Sequence, residues 1–369
     1  MSDGRRVPAV PEGGQTMTVP IGVGVVGSAW ITRVHAQALT KLNSLAPLSR
    51  EIRLTSVYGR REGTVSALAG ELGFGHWSTS WEELVADPTV DVVANLTTNA
   101  LHEPVSLAAI AAGKPVLCEK PLAPDGAAAA RMFGAAQRAA IPNACGFSYR
   151  FVPAVMLLKN LITDGRLGGV RHFRGLFLQD GIRRPDGSGD SGSVLDFSHL
   201  LDMMRYLAGE PLSVSALTSS FMSSADDCYA AAFELQGSGT ATLEASRCAT
   251  GWKARQRIEV NGSEGSAWWD LEDIDRLHVS LRDGSQPGVT GYTAVHVTEP
   301  HHPLVPAWWP AGLGLGWEHS FIHEWRAFLA EVLGGDKDAH LATFFDGLRA
   351  AQLADAIYES DRDKARVLL

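Results

Sequence analysis

Residues 22–30 read GVGVVGSAW, and their three glycines have the spacing GxGxxG. In dinucleotide-binding folds this spacing marks the turn between the first strand and the first helix, where backbone N–H groups face a pyrophosphate. Gly22 and Gly24 fall inside the predicted strand, so the turn itself begins at Gly27. The cofactor contacts predicted from this turn are Gly27, Ser28, Ala29, Trp30 and Ile31. Because one glycine stands where the fingerprint has three, the turn alone leaves nucleotide binding open.

The sequence on either side of this stretch predicts two domains. Up to about Ser148, short β-rich runs alternate with Ala-rich helical stretches, which is the pattern of a parallel sheet. We therefore predict an α/β Rossmann domain with a doubly wound parallel sheet over residues 19–148. A helix over 194–208 and then successive alternating strands with glycine turns predict an α+β domain over 149–369. We expect this second domain to have a large, open, mostly antiparallel sheet, and its last helix to pack back on the first domain.

Composition excludes several classes of partner. The formal net charge is −9, with 32 basic against 41 acidic residues, so no basic field exists to attract nucleic acid or an anionic membrane. The four cysteines are spread widely with no CxxC pair, which is typical of free thiols in a reducing cytoplasm. Residues 1–18 have no apolar core of a signal peptide, and we interpret them as a disordered tail of a cytoplasmic protein.

The end of the second predicted strand bears on the choice of cofactor. An Asp or Glu at this point binds a free ribose 2′-OH, as in NAD. Here the strand ends Tyr58-Gly59-Arg60-Arg61, which supplies two guanidinium groups and no acid. Arginine forms bidentate, charge-assisted hydrogen bonds with phosphate, so we predict that Gly59, Arg60 and Arg61 favour NADP, with NAD as the alternative.

Residues 97–123, TTNALHEPVSLAAIAAGKPVLCEKPLA, contain a TTNxxH turn, a helix ending in AGK and a strand ending in EKP. With several later segments, these motifs resemble the glucose-fructose oxidoreductase/inositol dehydrogenase (Gfo/Idh/MocA) family over roughly residues 20–369, although Thr98 replaces the usual proline. The resemblance implies a Rossmann domain and hydride transfer between a nicotinamide and a secondary hydroxyl or ketone of a sugar, glycoside or cyclitol. The cofactor-side positions that it implies are Thr97, Thr98, Asn99, His102, Glu119, Lys120 and Pro121.

Two residues carry the proton chemistry. The resemblance implies that Lys120 lies beside the nicotinamide, where its ammonium polarises the substrate oxygen. On the predicted helix 194–208, Asp196, His199 and Asp202 follow one another at intervals of three, so they share a helix face. A histidine flanked by carboxylates can titrate near neutrality, and His199 is the predicted general acid/base. A core histidine satisfied by Asp202 is the structural alternative.

The acid that accompanies His199 departs from the family pattern. The family reads D-x-G-x-H, whereas this chain reads Asp196-Phe197-Ser198-His199. Either one residue is deleted and Asp196 remains the catalytic acid, which we favour, or Leu195 occupies its position. The predicted substrate-binding residues are Tyr149, Arg150, Asp180, Arg183, Asp196, His199 and His319, with Arg184 beside them. His319 and His323 have metal-like spacing but lack a third ligand, so we predict no metal.

Three functions remain open from the sequence. The first is a sugar or cyclitol dehydrogenase, and the second is a ketoreductase of a biosynthetic, secondary-metabolite sugar pathway. The third, of another class, is a catalytically inactive regulator that senses the cofactor, because fold does not determine function. We expect a homodimer or homotetramer formed through the C-terminal sheet.

Overall fold

The structure is a computed structural model, and it describes residues 19–180, 191–222, 225–282 and 290–369. The predicted disordered tail, together with Arg183 and Arg184, lies outside these residues. Within the described ranges the chain forms ten α-helices and fifteen strands, and the strands make two sheets. None of the helices in these ranges is long and apolar enough to cross a membrane.

The first sheet is parallel and doubly wound, as predicted. Its strand order is β3-β2-β1-β4-β5-β6, so the order reverses beside β1, where α/β sheets bind their ligands. The elements are β1 (Ile21–Val26), α1 (Trp30–Leu45), β2 (Ile52–Tyr58), α2 (Glu62–Leu72), β3 (His76–Ser78), α3 (Trp81–Ala86), β4 (Val92–Asn95), α4 (Asn99–Ala111), β5 (Val116–Cys118), α5 (Gly126–Ala139) and β6 (Asn143–Cys145).

The early glycines have a packing role inside β1. A Cβ added at Gly22 would overlap the carbonyl oxygen of Thr89. One added at Gly24 would lie 2.8 Å from methyl groups of both Leu84 and Val90. These two glycines therefore let the segment after α3 lie directly against the strand, and they are not part of the turn.

The second sheet is mixed and mostly antiparallel, as predicted. Its order is β14-β13-β12-β11-β7-β10-β9-β8-β15, and β7 with β10 is the parallel pair. The elements are a 3-10 helix (Ser148–Phe151), α6 (Pro153–Thr163), β7 (Val170–Leu178), α7 (Gly192–Asp196), α8 (His199–Ala208), β8 (Pro211–Ser219), β9 (Cys228–Leu235), β10 (Thr240–Ser246), β11 (Arg255–Gly262), β12 (Gly265–Asp270), β13 (Arg276–Leu281), β14 (Thr293–His296), α9 (Glu318–Val332), α10 (Phe344–Asp363) and β15 (Val367–Leu368).

The predicted continuous helix over 194–208 is wrong. The chain ends α7 at Asp196 and starts α8 at His199, with a non-helical Phe197 between them at φ −102° and ψ 29°. The ring of Phe197 stacks on Phe177 of β7, with ring centroids 4.4 Å apart. Burial of this aromatic pair against the sheet thus competes with helix continuity. Asp196 and His199 consequently lie on two helices and do not share one helix face.

Helices from the second half of the chain pack on the first sheet. In α9, the indole N–H of Trp325 donates to His35 Nδ1 at 2.9 Å, which joins it to α1. In α10, Asp355 accepts from the backbone N–H of Gly126 at 2.8 Å, at the start of α5. Both helices therefore hold the Rossmann sheet next to the second sheet, and the candidate site lies where the two meet.

Candidate active site

The turn after β1 has the geometry of a phosphate-binding turn. Gly27 has φ +144°, and a Cβ there would overlap the carbonyl oxygen of Leu96. Helix α1 begins at Trp30, and its N-cap residue Ala29 makes no side-chain capping bond. The first turn of α1 contains no acidic residue. The N–H of Thr32 bonds the Ala29 carbonyl oxygen at 3.0 Å, so the N–H groups of Trp30 and Ile31 are the ones available to an anion, which fits the pyrophosphate of a dinucleotide.

The end of β2 closes on the same turn. A Cβ at Gly59 would lie 2.7 Å from Ser28 Oγ, so only glycine lets the two segments approach this closely. Arg60 and Arg61 follow, and both are exposed. Neither forms an ion pair with the described residues. Their guanidinium groups are thus free to meet a ligand at this edge of the sheet.

The TTNxxH turn and the EKP segment are tied together by a buried histidine. His102 is 1% exposed, with Nδ1 2.8 Å from the Pro121 carbonyl oxygen and Nε2 3.1 Å from that of Thr97. Burial lowers the pKa of His102. Thr98 is the N-cap of α4 without a side-chain capping bond, and Asn99 is the first residue of that helix. His102 therefore shapes the turn from behind, while Thr98 and Asn99 stand at its open end.

Glu119 is held by a hydrogen-bond chain that the sequence reasoning missed. His35 Nδ1 accepts from Trp325, so its Nε2 carries the proton and donates to Glu119 Oε1 at 3.0 Å. The second oxygen of Glu119 accepts from the backbone N–H of Lys120 at 2.9 Å. Burial opposes the charge on Glu119, but the bond from His35 and the Lys120 ammonium outweigh it and lower its pKa. Glu119 thus positions the backbone that carries Lys120.

Lys120 contacts the segment before α8 in the centre of the candidate site. The Nζ of Lys120 donates to the backbone oxygen of Asp196 at 2.8 Å. His199 is 8% exposed, and its ring packs edge-on against Tyr149 with centroids 4.5 Å apart. Burial and the Lys120 charge hold the pKa of His199 well below its ordinary value. His199 is therefore neutral at neutral pH and able to accept a proton.

The expectation that carboxylates flank His199 and bring its pKa near neutrality is wrong. Asp202 bonds the guanidinium of Arg150, with Arg150 Nε donating at 2.9 Å and Nη2 at 2.5 Å. Asp196 Oδ1 accepts from Ser191 Oγ at 2.6 Å, and the other oxygen faces Arg247. Each carboxylate thus has its own donors, and the buried Nδ1 of His199 has no partner in the described part of the chain.

Arg150 lies in a buried cluster of ion pairs next to α8. Its side chain is 5% exposed, and Nη2 also donates to Asp346 at 2.9 Å. Its guanidinium lies 4.8 Å from the Tyr206 ring centroid. Because Nε and Nη2 donate to two carboxylates and the guanidinium also lies on an aromatic ring, Arg150 supports α8 as a structural element. That Arg150 binds substrate stays a prediction, and its described contacts are those of a structural ion pair.

Tyr149, Asp180 and Leu195 differ in their burial and in their position relative to Lys120 and His199. Tyr149 is buried against His199, and burial raises its pKa to about 12, so its hydroxyl keeps its proton. Asp180 forms an isolated β-bridge with Cys248 just after β7, at the edge of the sheet where the parallel strands β7 and β10 both end. Leu195 is 6% exposed in the hydrophobic core. Of the two candidates for the family acid, Asp196 is therefore the one next to Lys120, whose Nζ bonds the Asp196 backbone oxygen.

His319 packs away from the lysine. It is 8% exposed, its Nδ1 accepts from the backbone N–H of Gly316 at 3.1 Å, and its ring meets Trp308 at 4.5 Å. His323 accepts from the same Trp308 indole at 2.7 Å. No described contact joins His319 to Lys120. Among the described residues, no group of three or more His, Cys, Asp or Glu side chains is arranged to hold a metal ion.

Trp317 and Arg247 are site residues that sequence reasoning missed. Trp317 stacks on Trp30 at the start of α1, with centroids 6.1 Å apart, and so covers the phosphate-binding turn from the second half of the chain. Arg247 directly follows β10 and meets Asp196. Trp317 belongs to the segment GWEH (316–319), which resembles the family, but that segment does not show that its partner is Trp30. Arg247 belongs to no motif used above, and its partner Asp196 lies far away in the sequence.

A dinucleotide-binding turn joined to a lysine and a neutral histidine defines a class, the nicotinamide-dependent oxidoreductases. Comparison with family models places the chain within that class. Residues 21–143 match the model described as an oxidoreductase family with an NAD-binding Rossmann fold, and residues 155–268 match the GFO/IDH/MocA C-terminal domain. The chain therefore belongs to the Gfo/Idh/MocA family of oxidoreductases and binds NAD(H) through its Rossmann domain.

Individual relatives match over nearly the whole chain. Levoglucosan dehydrogenase of Pseudarthrobacter phenanthrenivorans is 28% identical, over 92% of this chain and 96% of its own. Inositol 2-dehydrogenase of Rhizobium meliloti is 26% identical, over 93% of this chain and 98% of its own. A solved structure of levoglucosan dehydrogenase in complex with NADH has a TM-score of 0.89 and 29% identity, covering 95% of this chain and 99% of that one.

Proposed function

We propose that this protein is a dehydrogenase that transfers hydride between a nicotinamide dinucleotide and a secondary hydroxyl of a sugar, glycoside or cyclitol. The observation that carries the proposal is the approach of Lys120 to Asp196 at the end of α7, three residues before His199. The names of relatives, which include levoglucosan and inositol dehydrogenases, support this class of substrate.

The chemistry divides between the cofactor and the protein. A nicotinamide dinucleotide held at the turn of Gly27 and Ser28 would supply the acceptor for the hydride of the carbinol carbon. His199, which is neutral at neutral pH, takes the hydroxyl proton, and Lys120 donates a hydrogen bond to the same oxygen as negative charge develops on it. In the reducing direction the imidazolium returns the proton to the carbonyl oxygen. The biosynthetic ketoreductase and the dehydrogenase therefore share one mechanism and differ in direction.

Hydride transfer is tested by nicotinamide absorbance across a panel of sugars, anhydrosugars and inositols. We expect wild-type turnover on members of this panel. We expect Lys120→Ala to lower kcat by about 10²–10³-fold and His199→Ala by about 10²–10⁴-fold, because each removes a group that acts on the reacting oxygen. Lys114→Ala is the matched control, since Lys114 precedes β5 at the opposite end and bonds the Asp87 carbonyl. Cofactor binding without turnover on any substrate would instead favour the cofactor-sensing regulator.

We further propose that the enzyme prefers NADP. The exposed Arg60 and Arg61 at the end of β2 support this preference, because no acidic side chain stands at the strand end to repel a 2′-phosphate. Removing one charge-assisted hydrogen bond should weaken NADP binding by about 10–100-fold and leave NAD nearly unaffected. The dissociation constants of both cofactors are measured for wild type, Arg60→Ala and the control Arg53→Ala at the far end of β2. If Arg60→Ala leaves the ratio of the NADP and NAD dissociation constants unchanged, Arg60 does not contact the 2′-phosphate.

A further inference from the structure

A buried arginine lies behind the carboxylate of Asp196. Arg247 directly follows β10, and its side chain is only 2% exposed. Its Nη1 donates to Asp196 Oδ2 at 3.3 Å, and its Nη2 donates to Asp227 Oδ1 at 3.0 Å. One guanidinium therefore joins the end of α7 to the residue that precedes β9.

The Asp227 side of this bridge is anchored to the backbone. Asp227 is completely buried, and its Oδ2 accepts from the N–H groups of Phe221 at 2.6 Å and Met222 at 2.7 Å. Its own carbonyl oxygen accepts from the backbone N–H of Arg247 at 2.8 Å. Because main-chain donors and a charged partner hold this carboxylate, it gives Arg247 a fixed point of attachment.

The neighbouring aspartate holds the other end of α7. Asp226 accepts from the backbone N–H of Val194 at 3.0 Å and from the hydroxyl of Ser193. The hydroxyl of Tyr358 in α10 also donates to it at 2.9 Å. Two consecutive aspartates therefore determine where α7 lies, with Asp226 at its start and Asp227, through Arg247, at its end.

The position of α7 matters because Lys120 bonds its last residue. The Asp196 carbonyl oxygen receives the Lys120 ammonium at 2.8 Å, while the Asp196 side chain remains 23% exposed. Arg247 donates to Oδ2 and Ser191 donates to Oδ1, and a carboxylate has further lone pairs that can accept a hydrogen bond. An acceptor next to Lys120 is suited to bind a substrate hydroxyl.

We propose that Arg247 is a positioning residue of the hydride-transfer site. By fixing Asp196 it holds the carbonyl that receives Lys120 and presents the Asp196 carboxylate to a substrate hydroxyl. This inference rests on the proposed function. It also explains how the shortened Asp–His spacing is accommodated, since the acid is placed by a contact from β10 and not by helical spacing from His199.

The test must separate positioning from stability. Removing one partner of a buried ion pair leaves the other charge buried alone, so a single neutral variant can simply unfold. The double variant Arg247→Met/Asp227→Asn removes both charges and keeps an acceptor for the two N–H groups. A matched control is Arg205→Met/Glu210→Gln, which neutralises another ion pair at the far end of α8, whose two members also contact Asp346 and Arg349. Arg247→Lys retains the charge but not the fork that spans two carboxylates.

We expect the folded double variant to lose about 10²-fold in kcat/KM, with most of the loss in kcat, because the reacting geometry is displaced. Its cofactor dissociation constant should remain within about twofold of wild type, the control double variant should keep its kcat, and Arg247→Lys should recover part of the activity. A folded double variant with wild-type kcat/KM would overturn the proposal.

A crystal structure of the double variant supplies a readout that does not depend on turnover. We expect the Lys120–Asp196 hydrogen bond, 2.8 Å in the wild type, to be broken or lengthened. An unchanged contact would also overturn the proposal. If the wild type binds cofactor but transfers no hydride, the proposed function fails, and the position of Asp196 still decides the role of Arg247.

Discussion

The decisive property of His199 is that its surroundings keep it uncharged. Its ring packs against Tyr149 and Phe147. When His199 is protonated, the nearby ammonium of Lys120 carries a charge of the same sign. Burial and this ammonium both disfavour the imidazolium, so the free enzyme holds a base and not an acid. For oxidation of an alcohol this is the protonation state that the reaction needs.

The pH dependence of kcat/KM for oxidation follows from this environment. We expect its acid limb to lie below 6.5, the ordinary value, because the lowered pKa keeps His199 able to accept a proton in mildly acidic solution. In Lys120→Met the like charge is gone, so the pKa of His199 should rise and the limb should move to higher pH. Lys114→Met should leave the limb in place. Histidine titration by NMR on the same variants measures the shift independently of turnover, and a limb that does not move would contradict the assigned cause.

The sequence predicted which residues meet at the site better than how they bond. The resemblance carried by the EKP motif and the histidine segment predicts that Lys120 and His199 act on the same substrate oxygen, which stays a prediction. The partner of Asp202 could not be predicted, because Arg150 lies 52 residues away in the chain and nothing local selects it over His199. The contacts of Arg247 with Asp196 and Asp227 were equally hidden, since they depend on strand packing between β9 and β10.

At the scale of elements, the fold depends on close packing of α3 and the segment after it against β1. These residues can pack there only because Gly22 and Gly24 of β1 lack side chains. The periodicity of the sequence placed these glycines in a strand correctly, but it could not show what they touch. The same limit applies to the break between α7 and α8, where packing of Phe197 on Phe177 overrides an apolar pattern that favours one helix.

Substitution of Gly22 tests the packing of this element. In Gly22→Ala the new methyl group would overlap the Thr89 carbonyl, and we expect a loss of about 1–3 kcal/mol in the free energy of unfolding, because backbone must move. Gly63→Ala is the matched control. Nothing lies within 4 Å of a Cβ there, and alanine in α2 should be neutral or stabilise by about 0.4–1 kcal/mol. Denaturant titration measures both, and equal stabilities would show that the close approach is not required.

At the scale of the whole molecule, the described helices cover one face of the nine-stranded sheet, and no described helix covers the other. The open face carries Leu217, 62% exposed, and the exposed Ala230 and Ala232, around a depression of about 570 Å³. Arg174 and Arg366 also line it. Broad apolar sheet surfaces are usually covered, which supports the expectation of a homodimer or homotetramer through this sheet.

Light scattering tests the expected assembly. We expect the wild type to have the mass of two or four chains, and Ala232→Glu to lower that mass, because it places a charge in the middle of the apolar face. Leu313→Glu is the control, since Leu313 is 56% exposed and lies outside the sheet. A monomeric wild type, or a mass that Ala232→Glu does not change, would contradict assembly through this face.

The two-sheet architecture could be predicted from the sequence, but the contacts that join distant elements could not. Alternation of strands and helices, followed by successive strands, indicated a Rossmann sheet and an open mixed sheet, and both are present. The short β3 and α3 carry too few residues for a periodic signal and were missed. The contact of Trp325 with His35 joins α9 to α1 across 290 residues, and only the folded chain brings that pair together.

The most direct test of the account follows one hydrogen atom. A substrate from the sugar panel is labelled with deuterium at the carbinol carbon and incubated with wild-type enzyme and oxidised cofactor. We predict that the deuterium appears at C4 of the reduced nicotinamide, and that transfer falls by about 10²-fold or more in His199→Ala while Lys114→Ala matches the wild type. Deuterium that remains on the substrate or appears in water, with cofactor bound, would contradict hydride transfer as the function of this site.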